Sequence, residues 1–351
     1  MSVVVGIDVG GTTCTIAIGE AGRKVLCISD QFPTRSAEGP DAAIDDIVAQ
    51  IVAELDLLGK SPADVSAISL ATPGPATMDG VLLKTPNLNP LLWDQCPIRL
   101  KLEQAFAKIA QPTPVVYIGD GQAAAVGEYA IRTGHLNWAD SPVADKTEQF
   151  DTLFMIAVGT GLGGGEVRKG HPVQGGKGRA GHAGHILLPV DAFRYSHDRE
   201  LKVGNTFCAA ESAISLTALT HQLSYRLTLD QWKDHSLNAI EGTAKDKAKQ
   251  LRELAGAGDD LALELMDDQA KALGIVLLNV QYIGDHDRLV IGGGVTEMAT
   301  QVRDRYLANV KESYHAHALD GFRDFDAISF SVCRDDASVL GSLAYAYGGT
   351  L

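Results

Sequence analysis

Basic side chains are in short supply. Thirty lysines and arginines stand against 44 aspartates and glutamates, for a formal net charge of −14 over 351 residues. Nucleic-acid binding runs on Lys and Arg neutralising phosphates, so no nucleic-acid partner is expected. Cysteine is sparse as well: Cys14, Cys27, Cys96, Cys208 and Cys333 are scattered, odd in number and never spaced as C-x-x-C. That disfavours a disulfide framework and points to free thiols in a reducing, cytoplasmic compartment. No apolar run is long enough to span a bilayer, so no membrane partner is expected. Met1 and Ser2 run straight into a strand-type segment, where no signal peptide fits. No Walker A lysine motif exists anywhere. What remains, 45% hydrophobic and 21% charged, is a globular composition with enough chain for two domains.

Glycine-rich turns are what the chain does have. Val3-Val4-Val5-Gly6-Ile7-Asp8-Val9 breaks into Gly10-Gly11-Thr12-Thr13 and resumes as Cys14 to Ile18. Phe154 to Val158 breaks into Gly159-Thr160-Gly161 and resumes through Gly163-Gly164-Gly165 toward Val167. Each reads as strand, tight turn, strand. Glycine lets backbone N–H groups approach a ligand closely, and successive N–H groups in such a turn make an anion site. Two of them suit a polyphosphate, and Asp8 beside the first suits its Mg²⁺. An ordinary hairpin turn is the plain alternative for either one alone. Val115 to Ile118, a buried-type strand, runs through Gly119 into Asp120. An Asp at such a strand end could accept a proton from a substrate hydroxyl; equally, it could cap the helix that follows.

The remaining pattern alternates strand and helix. A third strand is predicted over 23–28, a helix over 41–58, a strand over 65–70 and a helix over 100–110. Helices are further expected over 122–132, 211–225, 244–283 with a break near Gly256, 295–314 and 337–347, with strands at 289–291 and 328–332. This is an α/β chain. The expected division is residues 1–121, completed by a C-terminal helix at 336–351, and a larger domain over 122–335. The dinucleotide reading of Gly159 to Gly164 lacks the helix that fingerprint needs. Gly119-x-Gly121-x-x-Ala124 lacks the acidic residue on a following strand. His182 and His185, among Gly and Ala, suit substrate contacts or half of a metal site. A closed zinc site would need two further ligands, with only His197 and Cys208 nearby, so no structural zinc is expected.

Taken in order, these motifs resemble the ROK family, whose catalytic members are bacterial sugar kinases. Asp8-x-Gly10-Gly11-Thr12-Thr13 resembles its first phosphate motif, and Gly159-Thr160-Gly161 its second. Gly292-Gly293-Gly294-Val295 resembles its adenosine motif. Asp120 with Ala123-Ala124 and Gly127-Glu128 resembles the motif of its catalytic base. Thr72-Pro73-Gly74-Pro75 with Pro86-Asn87-Leu88 resembles its sugar-side loop. The resemblance implies an actin-like ATPase (ribonuclease H-like) fold, with two α/β domains around a cleft, and ATP and Mg²⁺ as ligands. It implies Asp120 as general base, Asp8 as the Mg²⁺ residue, directly or through water, and Gly74, Asn87, His182, His185 and Glu211 at the sugar. Homodimers are common in that family. Three departures stand out. Gly119 replaces the family's usual Asn, His182 its usual Glu, and the cysteine-rich zinc loop is missing. Val3 opens the first strand, leaving no room for the helix-turn-helix of the family's repressors. The expectation is an ATP-dependent sugar kinase, or else a non-catalytic relative that binds a ligand.

Overall fold

The computed structural model describes residues 2–85, 88–143 and 147–348. It divides into two compact units. One gathers residues 1–155, 165–181 and 332–351; the other gathers 156–164 and 182–331.

The first unit is built on a sheet that contains the strands predicted along this part of the chain. β1 (Val3–Val9) and β2 (Thr13–Glu20) pair antiparallel, with Val3 opposite Glu20 and Asp8 opposite Thr15. β3 (Lys24–Ile28) and the two-residue β4 (Phe32–Pro33) flank β2. β5 (Val65–Thr72) lies parallel to β1, and β6 (Val115–Gly119) parallel to β5, so the sheet is ordered β3-β2-β1-β5-β6. β1 is apolar over nearly its whole length because both of its faces are covered. α1 (Pro40–Leu57) starts on Pro40 and buries Ala43, Ile44, Ile47, Ile51 and Leu55 on one stripe. The short α2 (Pro90–Trp93) delivers Trp93 to the same core, and α3 (Ile98–Phe106) adds Ile98, Leu102 and Phe106.

α4 (Asp120–Arg132) follows β6 directly and is buried from Gln122 to Arg132. It lies against the late helix Ala337–Ala346 with backbones almost touching. A Cβ on Gly127 would stand 2.1 Å from the Ala337 carbonyl, and one on Gly341 would stand 1.7 Å from the Ala123 carbonyl. No side chain other than hydrogen fits that seam. Buried Glu128 adds polar links: its carboxylate accepts from Arg132 Nε and from the Val332 and Cys333 amides, at 2.6 to 3.2 Å.

β7 (Thr152–Val158), β8 (Leu162–Arg168) and β9 (His171–Pro172) belong to a second sheet. Its order is Ile328–Phe330, Arg288–Gly293, β7, β8, β9. In the second unit, helices Asp260–Gly284 and Thr300–His317 meet at Gly274, whose Cβ would clash with the Val310 carbonyl at 2.4 Å.

Three predicted helices are shaped differently. The one over 211–225 is two, Glu211–Ile214 and Leu216–Arg226, because Ser215 breaks out and caps the second through its side chain. The one over 244–283 breaks at Gln250 as well as after Gly256, and Asp259 caps the last segment. The one over 295–314 begins at Thr300. Gly293 takes φ 78°, Gly294–Glu297 forms a single 3₁₀ turn, and Met298 is extended.

Candidate functional site

The first unit collects its candidates on one sheet edge. In the parallel register, Asp8 aligns with Ala71, and Thr72 with Gly119. Asp8, Gly74 and Asp120 therefore share the C-terminal edge of β1, β5 and β6, where open α/β sheets bind ligands. Asp8 Oδ1 accepts from Ser338 Oγ at 2.8 Å, while Oδ2 has no hydrogen-bond partner among the described residues. Burial raises the Asp8 pKa to about 6 against the pull of the Ser338 bond. Asp120 is raised further, to about 7, by burial first and then by the negative charge of Asp8. Two buried carboxylates, one raised further by the charge of the other, are placed for proton work near neutral pH.

The structure puts Asp120 one residue past the cap position. Gly119 is the N-cap residue and Asp120 the first helical residue, its Oδ1 accepting from the Gly121 amide at 2.7 Å. The Asp120 carboxylate thus covers first-turn amides, that of Gly121 and its own. Gly119 has φ −70°, and a Cβ there would meet nothing nearer than Gln122 Oε1 at 3.8 Å. Neither backbone nor packing requires a glycine beside Asp120.

The first glycine turn is closed by Gly10 N–H to the Thr13 carbonyl at 2.8 Å. Thr34, fully buried, backs it: its Oγ1 donates to the Gly10 carbonyl at 2.8 Å, and its N–H donates to the Thr12 carbonyl at 2.9 Å. The Gly11 and Thr12 amides have no acceptor among the described residues. Carbonyls turned inward and adjacent amides left open make an anion cradle.

The second turn repeats this arrangement in the other unit. Gly159 N–H donates to the Gly161 carbonyl at 3.0 Å. The Gly159 carbonyl accepts from Leu216 N–H, and the Thr160 carbonyl from Thr217 N–H and Oγ1. Thr160 and Gly161 N–H are left without an acceptor among the described residues. Gly293 approaches β7 so closely that a Cβ would stand 2.5 Å from the Val158 carbonyl. The predicted nucleoside glycines therefore adjoin this turn. A cavity of about 200 Å³ opens there, lined by Gly159, Thr160, Gly294, Val295, Leu216, Leu219 and Met266, with Lys249 and Arg252 among its polar residues. Arg252 Nη1 donates to the Gly294 carbonyl at 2.7 Å. A larger hollow of about 350 Å³ lies elsewhere in this unit, but Arg194 and Asp268 in its wall already pair with each other.

His182 and His185 are exposed, with ring centroids 6.2 Å apart at 75°. Desolvation around the ring and the neighbouring His185 lower the His182 pKa, so it is a neutral donor and acceptor at neutral pH. Among the described residues, no group of three or more His, Cys, Asp or Glu could hold a metal. Glu211 faces the second turn, with Oε2 accepting from Leu162 N–H at 2.7 Å. Asn87 lies outside the described residues. Sequence reasoning missed Thr34, Ser338, Lys249 and Arg252. The first two contact the site across 24 and 330 residues of chain, and no local pattern marks them.

The model of the ROK family matches residues 4–348. A glucokinase of Halalkalibacterium halodurans is 28% identical over 96% of this chain and 92% of its own length. An N-acetylmannosamine kinase of Escherichia coli is 29% identical over 98% of each chain. The crystal structure of a ROK hexokinase from Thermus thermophilus superimposes with a TM-score of 0.73 at 25% identity, covering 98% of each chain.

Proposed function

The chain belongs to the ROK family, and from that premise we propose an ATP-dependent kinase that phosphorylates a hydroxyl of a sugar or sugar derivative. The observation that carries this reading is the carboxylate pair at the sheet edge. Asp120 is raised to about 7 beside Asp8. At neutral pH a good share of Asp120 is ionised and basic enough to take a hydroxyl proton. The freed oxygen attacks the γ-phosphorus of ATP, the bond to the bridging oxygen breaks, and ADP leaves with its electron pair. The proton stays on Asp120. There is little covalent chemistry for the protein beyond this, so positioning and charge neutralisation supply most of the rate.

The Gly11, Thr12, Thr160 and Gly161 amides are assigned to phosphate oxygens, and the cavity beside Gly292, Gly293 and Gly294 to the nucleoside. Asp8 suits Mg²⁺: a carboxylate with a free oxygen, held by a serine, is a hard donor that leaves room for water and phosphate. Mg²⁺ there would neutralise phosphate charge. Gly74, Asn87, His182 and His185 are assigned to the acceptor. The five free thiols fit a reducing, cytoplasmic setting.

Open space at Gly119 and neutral His182 differ from the side chains the family's glucose-type sites use. The acceptor site is therefore read as altered, with glucose a poor substrate. Turnover of Mg-ATP across a panel of hexoses, amino sugars and N-acyl sugars tests the proposal. Turnover of none of them, with nucleotide binding intact, would replace the kinase by a ligand-binding relative.

A further inference from the structure

Leu162, the residue just past the second glycine turn, is gripped from both sides. Its N–H donates to Glu211 Oε2 at 2.7 Å. Its carbonyl abuts Gly184, where a Cβ would stand only 2.3 Å away. Glu211 also lies under the turn itself, since a Cβ on Gly161 would be 2.6 Å from the same Oε2. Its Oε1 has no hydrogen-bond partner among the described residues. Glu211 is held in place by a short ladder, with Ala210 N–H on the Ile186 carbonyl and Leu188 N–H on the Cys208 carbonyl, both at 2.8 Å. The histidine segment, Glu211 and the turn thus form one connected piece of the second unit.

We infer that Glu211 is a positioning residue for the nucleotide. By holding Leu162 N–H through Oε2, it fixes the strand start and keeps the neighbouring Thr160 and Gly161 amides aimed outward for phosphate. A hydrogen bond to a charged carboxylate is among the stronger kinds a backbone amide makes. Oε1 remains for an acceptor hydroxyl. The phosphate identity of the anion rests on the kinase reading; the grip on the turn does not. A bare negative charge beside an anion site would instead repel phosphate, which gives the opposite sign for the same variant.

The test compares Glu211→Ala and Glu211→Gln in the full chain, first confirming by thermal melts that both fold. Mg-AMPPNP binding is measured by calorimetry without acceptor, and hydrogen exchange is followed in the segment 156–164. Glu211→Ala should weaken the nucleotide about 10-fold and speed exchange at Leu162. Glu211→Gln keeps an acceptor oxygen, so it should return both to near the wild-type value while an acceptor KM stays raised. Nucleotide binding in Glu211→Ala as tight as wild type, or tighter, overturns the inference. So does unchanged exchange at Leu162. A wild-type chain that ignores Mg-AMPPNP would sink the kinase reading instead, and the exchange data would still decide whether Glu211 holds the turn.

Discussion

The two glycine turns have the same outward face and different backs. Both close on themselves, turn their carbonyls inward and leave two adjacent amides open. Behind the first stands Thr34, a neutral hydroxyl just past β4. Behind the second stands Glu211, a carboxylate, with the start of helix Leu216–Arg226 beside it. The first turn also has Asp8 on its own strand, and the second has no acid on β7 or β8 nearer than Glu166. Evidently the outward amides are the constrained part. What supports them is free to vary in charge, so long as it engages the right backbone groups.

Changing Asp120 should have the largest effect and should leave both turns alone. Asp120→Asn keeps an oxygen for the Gly121 amide but cannot take a proton. It should lower kcat by about 10² to 10⁴, with calorimetric Mg-ATP affinity within about twofold of wild type. Retained turnover would mean that Asp120 serves only its helix, since Asn covers such an amide as well as Asp.

Adding a methyl group to each glycine of the second turn sharpens the comparison. Gly161→Ala drives a Cβ to 2.6 Å from Glu211 Oε2, whereas at Gly159 nothing stands nearer than 4.0 Å. Gly161→Ala should weaken nucleotide binding about 10-fold and Gly159→Ala by less than about threefold, on the scale of one lost charged hydrogen bond. Equal losses would show that backbone freedom matters rather than the carboxylate behind.

The pH dependence of stability reports on Asp120. Burial raises Asp120 from its ordinary 3.8 to about 7. The folded chain therefore holds a proton over an interval in which the unfolded chain has released it. That contribution is full below the ordinary value and is lost as pH rises through 7. Asp120→Asn carries no such loss. Denaturant titrations should find it gaining about 1 to 2 kcal/mol on wild type between pH 4 and 8, discounted for partial solvent contact. A flat difference across that range would refute the raised pKa.

Thr34→Val should have the smallest effect. It removes one buried donor to the Gly10 carbonyl while keeping shape and the backbone bond to Thr12. A stability loss of about 1 kcal/mol is expected, with KM for ATP raised a few-fold and kcat kept. A larger change in kcat would mean that the first turn leans on that hydroxyl for more than its shape.

The strands of the first sheet, α1, and the placing of Asp8, Asp120 and both turns along the chain could be read from it. Each depends on local signals: apolar runs, glycines and a strand-end acid. The break near Gly256 was legible; those at Ser215 and Gln250 were missed, because a serine or glutamine inside an apolar periodicity carries no mark of which way its side chain will bond. Ser215 turned out to be a cap and Gln250 a joint. Thr34 and Ser338 were missed for the opposite reason, being ordinary in sequence and specific only in space. The sugar role that resemblance attached to Glu211 took no account of Leu162, 49 residues away.

The glycine seam between α4 and helix Ala337–Ala346 bears on the order of synthesis. Asp120 begins α4, Ser338 steadies Asp8, and Glu128 on α4 holds the amides of Val332 and Cys333. A chain emerging from the ribosome displays β1 and Asp8 more than 300 residues before their partner Ser338 is made. Until then the apolar flank of α4 has no cover, and the two acids have not acquired their final setting. A nascent chain stalled before residue 337 would leave that flank bare and Asp8 without its serine.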